Sequence, residues 1–362
     1  MLRNIISLSA HTYPVEIASN QRIRMKQICD FHKNRGDQII VLIDKIVANF
    51  HSQYLKKVFI NLPIITLTSN ESIKSFTKLE FVLNFLTKYK LERNGILIAI
   101  GGGTLGDLVG FAAAIYLRGI KYYQIPTTLL AMVDSAIGGK TAINLKTGKN
   151  LVGAFHHPEA VIIDTQFLKT LPLTEFSAGM AEIIKYALIY DKKLLNQLTS
   201  YYHIKWNDLK LMQLIEDSSK CKSKIIEKDE KEKSNIRGRA ILNFGHTFGH
   251  AIEAVTQYKK YSHGEAIGIG IVMAMRLSEE IGNISADEVN IIKSLIKTFG
   301  LPVKLKVPLS LKKLKLAMYR DKKIRAGRLR FVVLEKLGFA TICDNIKEKT
   351  IDQLWIEFGA KE

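Results

Sequence analysis

Two histidines, His246 and His250, stand four residues apart in LNFGHTFGHAIEA (242–254), and a third, His263, follows in YSHGEAIGIGIVMAM. Positions i and i+4 share a helical face, so both rings can address one object: a metal ion, a substrate or the protein core. Glu182 lies on an otherwise apolar helical stretch, AGMAEIIKYALI, with Lys185 on the neighbouring turn. A buried carboxylate needs a partner, and an ion pair with Lys185 would satisfy it without any catalysis. Together with His246 and His263, however, Glu182 makes up one carboxylate and two imidazoles, the donor set of a catalytic zinc-type centre with a position open to water or substrate. The pair His156–His157 in AFHHPEA has no helical spacing and precedes a proline, so it reads as loop rather than ligand.

A second group of residues suits phosphate and hydroxyl chemistry. GILIAIGGGTLGDLVGFAAA places Gly101, Gly102, Gly103 and Gly106 between a buried strand and a helix. There main-chain N–H groups and the helix dipole favour an anion, in a variant of the Rossmann arrangement rather than its usual GxGxxG frame. QIPTTLLAMVDSAIGGKTAINLKTGKNLVGAF supplies Thr127, Thr128, Asp134, Lys140, Lys149 and Asn150. Hydroxyls, one carboxylate, two lysines and an amide can grip a polyhydroxylated anion; a solvated lysine-bearing loop is the plainer reading.

The elements that must position these groups follow from hydrophobic period. Through about residue 170, short apolar runs (DQIIVLID, NLPIITLT, GILIAI, YYQIP) alternate with helical patterns such as SIKSFTKLEFVLNFLTKYK, which predicts a parallel sheet covered on both faces. Beyond Pro172 the period is helical almost throughout until LRFVVLE. The expected fold is α/β, an N-terminal Rossmann-like parallel-sheet domain (1–172) followed by a mostly α-helical domain (173–362). No apolar run reaches the ~18 residues of a membrane span. Three dispersed cysteines without a CxxC pair suggest free thiols in the cytoplasm. The net charge of +19 is spread over short clusters without aromatic interleaving. That favours a solvated basic surface and an anionic small-molecule substrate over nucleic acid.

In this order, GGGTLGDLVGFAAAIYLRG, QIPTTLLAMVDSAIGGKTAIN, GKNLVGAFHHP, GMAEIIKYALI, LNFGHTFGHAIEA and HGEA resemble the 3-dehydroquinate synthase family over roughly residues 10–340. The resemblance implies conversion of 3-deoxy-D-arabino-heptulosonate 7-phosphate to 3-dehydroquinate and phosphate, in the shikimate pathway. It also implies tightly held NAD that is oxidant and reductant in one cycle, one divalent metal (zinc or cobalt) and a homodimer. Carried over residue by residue, the metal ligands are Glu182, His246 and His263. His250, Lys185, Asp134 and Glu232 are catalytic. Arg118, Lys140, Asn150, Lys222, Arg239, Asn243 and Lys322 bind substrate, with Arg118 reaching from a neighbouring subunit and Lys222 and Arg239 facing the carboxylate. NAD falls to Asp44, Glu71, Lys74, Gly103, Thr104, Leu105, Gly106, Asp107, Thr127, Thr128, Lys140, Lys149, Phe167, Leu168, Lys169 and Thr170. The alternatives are another sugar-phosphate cyclase, whose substrate lacks the carboxylate, and a metal-dependent polyol dehydrogenase that releases reduced cofactor. A nucleic-acid-binding protein would leave the donor set and the glycine turn unexplained.

Overall fold

The computed structural model describes residues 1–9, 11–200, 204–232, 238–319 and 329–362, with the backbone alone at 320, 324–325 and 328. Its first compact unit is Met1–Leu171 with Ile204–Ser223, its second Pro172–His203 with Lys224–Glu362. Among the described residues no helix is long and apolar enough to cross a membrane.

The first unit is built on a seven-stranded sheet. Its strands are β1 (Leu2–Ser7), β2 (Thr12–Ala18), β3 (Ile39–Asp44), β4 (Ile64–Leu67), β5 (Ile96–Gly101), β6 (Lys121–Pro126) and, after a hairpin of β7 (Lys140–Leu145) and β8 (Gly148–Phe155), β9 (Ala160–Asp164). The order is β1-β2-β9-β6-β5-β3-β4, and only β1 runs antiparallel to its neighbour. The continuous apolar strands β3, β5 and β9 are buried at every residue, whereas edge strand β1 alternates. This is the pattern of a parallel sheet covered on both faces. From β3 the chain moves out to β4 and returns to β5 on the other side of β3. The topological switch, where such sheets bind ligands, is therefore the crevice between β3 and β5 at their carboxyl ends. Helices α1 (Arg22–Asn34), α2 (Lys45–Phe50), α3 (Ser52–Lys56), α4 (Phe76–Lys88) and α5 (Gly103–Ile115) connect the strands. Leucines of α4 and α5 share a core with Leu42, Leu97 and Ala99 of the sheet.

The second unit is mainly helical: α6 (Leu173–Ile189), α7 (Lys192–Thr199), the end of α8 (Leu209–Lys228), α9 (His246–Val255), α10 (His263–Glu280), α11 (Ala286–Thr298), α12 (Leu311–Arg320) and α13 (Glu348–Glu357). An antiparallel strand pair, Phe331–Lys336 with Phe339–Cys343, accounts for the LRFVVLE signal. Helices α6, α9 and α10 approach main chain to main chain. Gly245 adopts φ +78°, and a Cβ there would stand 2.7 Å from the nitrogen of Ile271 on α10. A Cβ on Gly264 would collide with the Cα of Ala178 on α6. The start of α10 is fixed by a reciprocal capping box between Ser262 and Glu265.

At the amino ends of the strands, His32 of α1 lies between Asp37 (2.8 Å) and the Tyr123 hydroxyl (3.0 Å), and Asn94 donates to the other Asp37 oxygen at 2.9 Å. The His32 hydrogen bond, working against burial and aided by Asn94 and Arg35, holds the Asp37 carboxyl below its usual range. A depressed carboxylate stabilises the fold fully above its unfolded pKa, about 3.9, and loses that contribution as pH falls through the lower folded value. Asp37→Asn is therefore expected to destabilise the protein by about 1.5–3 kcal/mol at pH 7. Chemical denaturation should show this difference shrinking as the wild type is taken below pH ~4; a difference independent of pH would exclude the carboxylate as its source.

Candidate active site

In the second unit, three helices each deliver one donor to a single point. Glu182 lies in the buried stretch of α6, while His246 and His263 are the first residues of α9 and α10. One donor atom from each lies within 4.8 Å of the others. The Nε2 atoms of His246 and His263 are 3.5 and 3.8 Å from Glu182 Oε1. Their other ring nitrogens are engaged, His246 Nδ1 at 3.1 Å from the Phe244 carbonyl and His263 Nδ1 at 3.2 Å from Glu253 Oε1. Both partners are acceptors, so each ring keeps a proton on Nδ1 and, when neutral, turns its Nε2 lone pair towards Glu182.

Neither oxygen of the buried Glu182 receives a well-directed hydrogen bond, although the Lys185 ammonium closes an ion pair with Oε2. Two imidazole lone pairs and an under-satisfied carboxylate, gathered at one point, suit a divalent cation. Burial works to lower the His263 pKa, but the carboxylates of Glu182 and Glu253 outweigh it and push it up to about 10. The ion pair and the donor set thus coexist on Glu182, one on each oxygen. His250, one turn along α9, is partly exposed, with its ring centroid 5.3 Å from that of His246.

Other expected residues of this unit fall into smaller groups. Asn243 donates to Glu232 Oε1 at 3.4 Å, and Glu232 has φ +55°. Arg239 is buried, its main-chain nitrogen 2.9 Å from Asp229 Oδ2 and its guanidinium 2.8 Å from the Glu230 carbonyl. Lys322 lies outside the described residues.

In the first unit the expected cofactor residues follow the carboxyl ends of β3, β4, β5, β6 and β9. Asp44 ends β3 and caps α2, accepting from Ile46 N at 2.7 Å. Gly103, Thr104, Leu105, Gly106 and Asp107 form the first turn of α5, which begins without a side-chain cap. A Cβ on Gly103 would stand 2.6 Å from Ser135 Oγ. Leu105 is fully buried in the core, so what it can offer a ligand is its main chain. Thr127 follows β6, its nitrogen 3.0 Å from the Gly101 carbonyl, and Thr128 Oγ1 accepts from Ala131 N at 3.1 Å.

Beside this turn, Lys74 pairs with Asp107 at 2.5 Å and hydrogen-bonds Asn150. Asn144 joins Glu71 at 2.7 Å and the Asn150 nitrogen at 2.8 Å, with Lys149 at 3.8 Å from Glu71. Asn150, expected on the phosphate side, is therefore drawn among the expected cofactor residues. Burial pushes the Asp107 carboxyl up to about 6 against the pull of Lys74. Separately, Lys222 donates to both the carbonyl (2.7 Å) and the carboxylate (2.6 Å) of Asp134, within a π-helical turn at Ala131–Ser135. Lys140 opens β7 and is exposed, as is Arg118 in a left-handed turn after α5 (φ +67°). Phe167, Leu168, Lys169 and Thr170 form a 3-10 turn directly after β9. His156 stacks on Tyr122 and bonds the Ile120 carbonyl, and His157 packs against Tyr13.

Residues 64–178 match the model of the 3-dehydroquinate synthase N-terminal domain, and residues 179–324 that of its C-terminal domain. The chain is 44% identical over 355 residues to the 3-dehydroquinate synthase of Opitutus terrae, covering 98% of each. It belongs to the 3-dehydroquinate synthase family. The enzyme of that name from Helicobacter pylori is 40% identical over 96% of both chains. Among solved structures, 2-epi-5-epi-valiolone synthase of Streptomyces hygroscopicus, with NAD+ and Zn2+ bound, superposes with a TM-score of 0.86 at 23% identity, covering 97% of this chain and 98% of that one. A 2-deoxy-scyllo-inosose synthase complexed with carbaglucose-6-phosphate, NAD+ and Co2+ gives 0.82 at 23% identity, covering 99% and 100%. At that identity the likeness concerns the fold.

Glu253 was not singled out from the sequence. Its signal was an acid two turns beyond His246, on the helical face that also carries His250, and it is buried against His263. Acceptors that hold the far nitrogen of a ligating histidine typically contribute about 10–100-fold in metal affinity. Glu253→Ala is accordingly expected to weaken zinc binding about 10–100-fold in a chelator competition, and Glu253→Gln, which keeps an acceptor oxygen, by less. Wild-type affinity in Glu253→Ala would show that His263 is held by other means.

Proposed function

We propose that this member of the 3-dehydroquinate synthase family converts 3-deoxy-D-arabino-heptulosonate 7-phosphate to 3-dehydroquinate and phosphate, acting as a homodimer with recycled NAD and one divalent cation, zinc or cobalt. The observation that carries the reading is the convergence of Glu182, His246 and His263 in a chain that matches the family over nearly its whole length. The cyclases of similar fold that hold NAD+ with Zn2+ or Co2+ support the choice of cofactors. When bound, NAD accepts and returns a hydride while the cation polarises a substrate hydroxyl.

The chain's own residues supply the rest. Glu182 Oε1 and the two Nε2 atoms would hold the cation, with Lys185 compensating the second carboxylate oxygen. His250, partly exposed beside His246, takes and gives protons through its imidazole. Lys222 fixes the Asp134 carboxylate as an acceptor for substrate hydroxyls. Lys140 and Arg239 add positive charge for a substrate bearing both phosphate and carboxylate. The first turn of α5, uncapped by any side chain, suits the diphosphate of the dinucleotide.

Incubated with the heptulosonate phosphate, a divalent cation and catalytic NAD, the protein should release phosphate in step with substrate loss while no NADH builds up. NADH accumulating with turnover would instead assign a dehydrogenase, and a carbocyclic product without a carboxylate would assign the cyclitol branch.

The two histidines of the GHTFGH run should also separate. His250→Ala is expected to retain its metal and lose about 10²–10⁴-fold in kcat, whereas His246→Ala should lose the metal and activity together. Metal content by atomic emission, measured beside turnover, decides this. Loss of metal in His250→Ala with retention in His246→Ala would reverse the assignment.

A further inference from the structure

At the carboxyl end of β9, Asp164 is completely buried and collects donors from three separate segments. Oδ1 accepts from the main-chain nitrogens of Asn20 at 2.9 Å and Gln166 at 3.0 Å. Oδ2 accepts from Gln21 N at 2.7 Å and from the Tyr54 hydroxyl of α3. Burial, reinforced by the Asp164 charge, raises the Tyr54 phenol well above its usual range, so it stays a donor at neutral pH. The carboxylate is satisfied by donors from the segments around it: residues 20–21, Tyr54 of α3 and Gln166 of the following turn.

These contacts bear on the turn 165–170. Asp164 caps its start through Gln166 N. His51, between α2 and α3, is 2.8 Å from Thr170 Oγ1 at its end. Thr170 Oγ1 also reaches the Phe167 carbonyl at 3.4 Å. Between them, the Phe167 ring meets His51 and Tyr54 edge-on, with centroids 5.0 and 5.8 Å away. His51 immediately follows α2, whose first turn is capped by Asp44. One short helix therefore links Asp44 to the clasp that grips Phe167 and Thr170.

We infer that Asp164, Tyr54 and His51 are positioning residues of the dinucleotide site: they lock the Phe167–Thr170 turn to the α2–α3 segment and thereby set NAD affinity. The inference rests on the proposed NAD reading of Asp44 and residues 167–170. None of the three side chains needs to touch the reacting groups. Rigid walls reduce the ordering cost of binding, which raises affinity without any new contact to the ligand.

Tyr54→Phe tests this with least disturbance, since it keeps the ring against Phe167 and deletes only the donor to Asp164. Its NAD dissociation constant, measured by calorimetric titration of the full-length protein, should rise about tenfold, as for a lost hydrogen bond to a charged group. His51→Ala should act in the same direction. In both variants kcat at saturating NAD and zinc affinity should stay within about twofold of wild type, a split that a general loss of folding would not produce. NAD affinity unchanged in both variants, with only the melting temperature lowered, would overturn the inference and leave the cluster a structural one. Wild-type protein that binds no NAD would instead remove the dinucleotide reading on which the inference stands.

Discussion

The second unit is organised around one buried negative charge. Glu182 sits in the buried, mostly apolar stretch of α6, and an isolated carboxylate in such surroundings would rather be neutral. The chain answers with Lys185 at one oxygen and two imidazoles at the other. It then answers the imidazoles, giving one the Phe244 carbonyl and the other Glu253. Each added group settles the hydrogen-bonding needs of the previous one and leaves a single deficit at the centre, two lone pairs and a carboxylate oxygen facing inward. Catalytic metal centres depend on such a deficit, because an ion held by a complete protein shell would have no position left for substrate.

The first unit works differently. Its expected cofactor residues lie at one end of a parallel sheet, and topology gathers them, because every parallel strand delivers its following loop to the same end. Lys74, Asp107, Asn144 and Asn150 come from four loops or elements and form one hydrogen-bonded group. Here the buried charges are paired with each other, and Lys74 ties Asp107 of α5 to Asn150 of β8.

What the sequence revealed and what it concealed follow from the range of the interactions involved. The strands β3 and β5 and the helices α4, α5 and α6 were legible, because an apolar run or a 3.6-residue period is a local property. The i, i+4 spacing correctly put His246 and His250 on one face, yet the partner that completes the donor set is His263, beyond a turn and a capping box. That association came from residue chemistry and family resemblance, since no period could supply it. The β7–β8 hairpin was hidden among lysines and glycines that also fit a solvated loop, and part of its order is tertiary, as in the bond from Asn144 N to the Lys74 carbonyl. Asp164 and Glu253 escaped notice for a related reason. A single acid at the end of a strand or within a helix looks ordinary until folding shows how many donors it has gathered.

The close approaches at Gly245 and Gly264 carry a consequence for how this unit can change. Where two helices are kept apart by side chains, every substitution in the layer between them alters the spacing. Here the spacing of α9 and α10, and of α10 and α6, is limited by backbone atoms meeting backbone atoms next to His246 and His263. The span between the donors is accordingly decoupled from the volume of the surrounding aliphatic side chains. Ile267, Ile271 and Met275 can drift in size along a lineage, or be redesigned for thermal tolerance, while the centre keeps its dimensions. The same arrangement leaves no room for a side chain at either glycine, although neither carries a functional group.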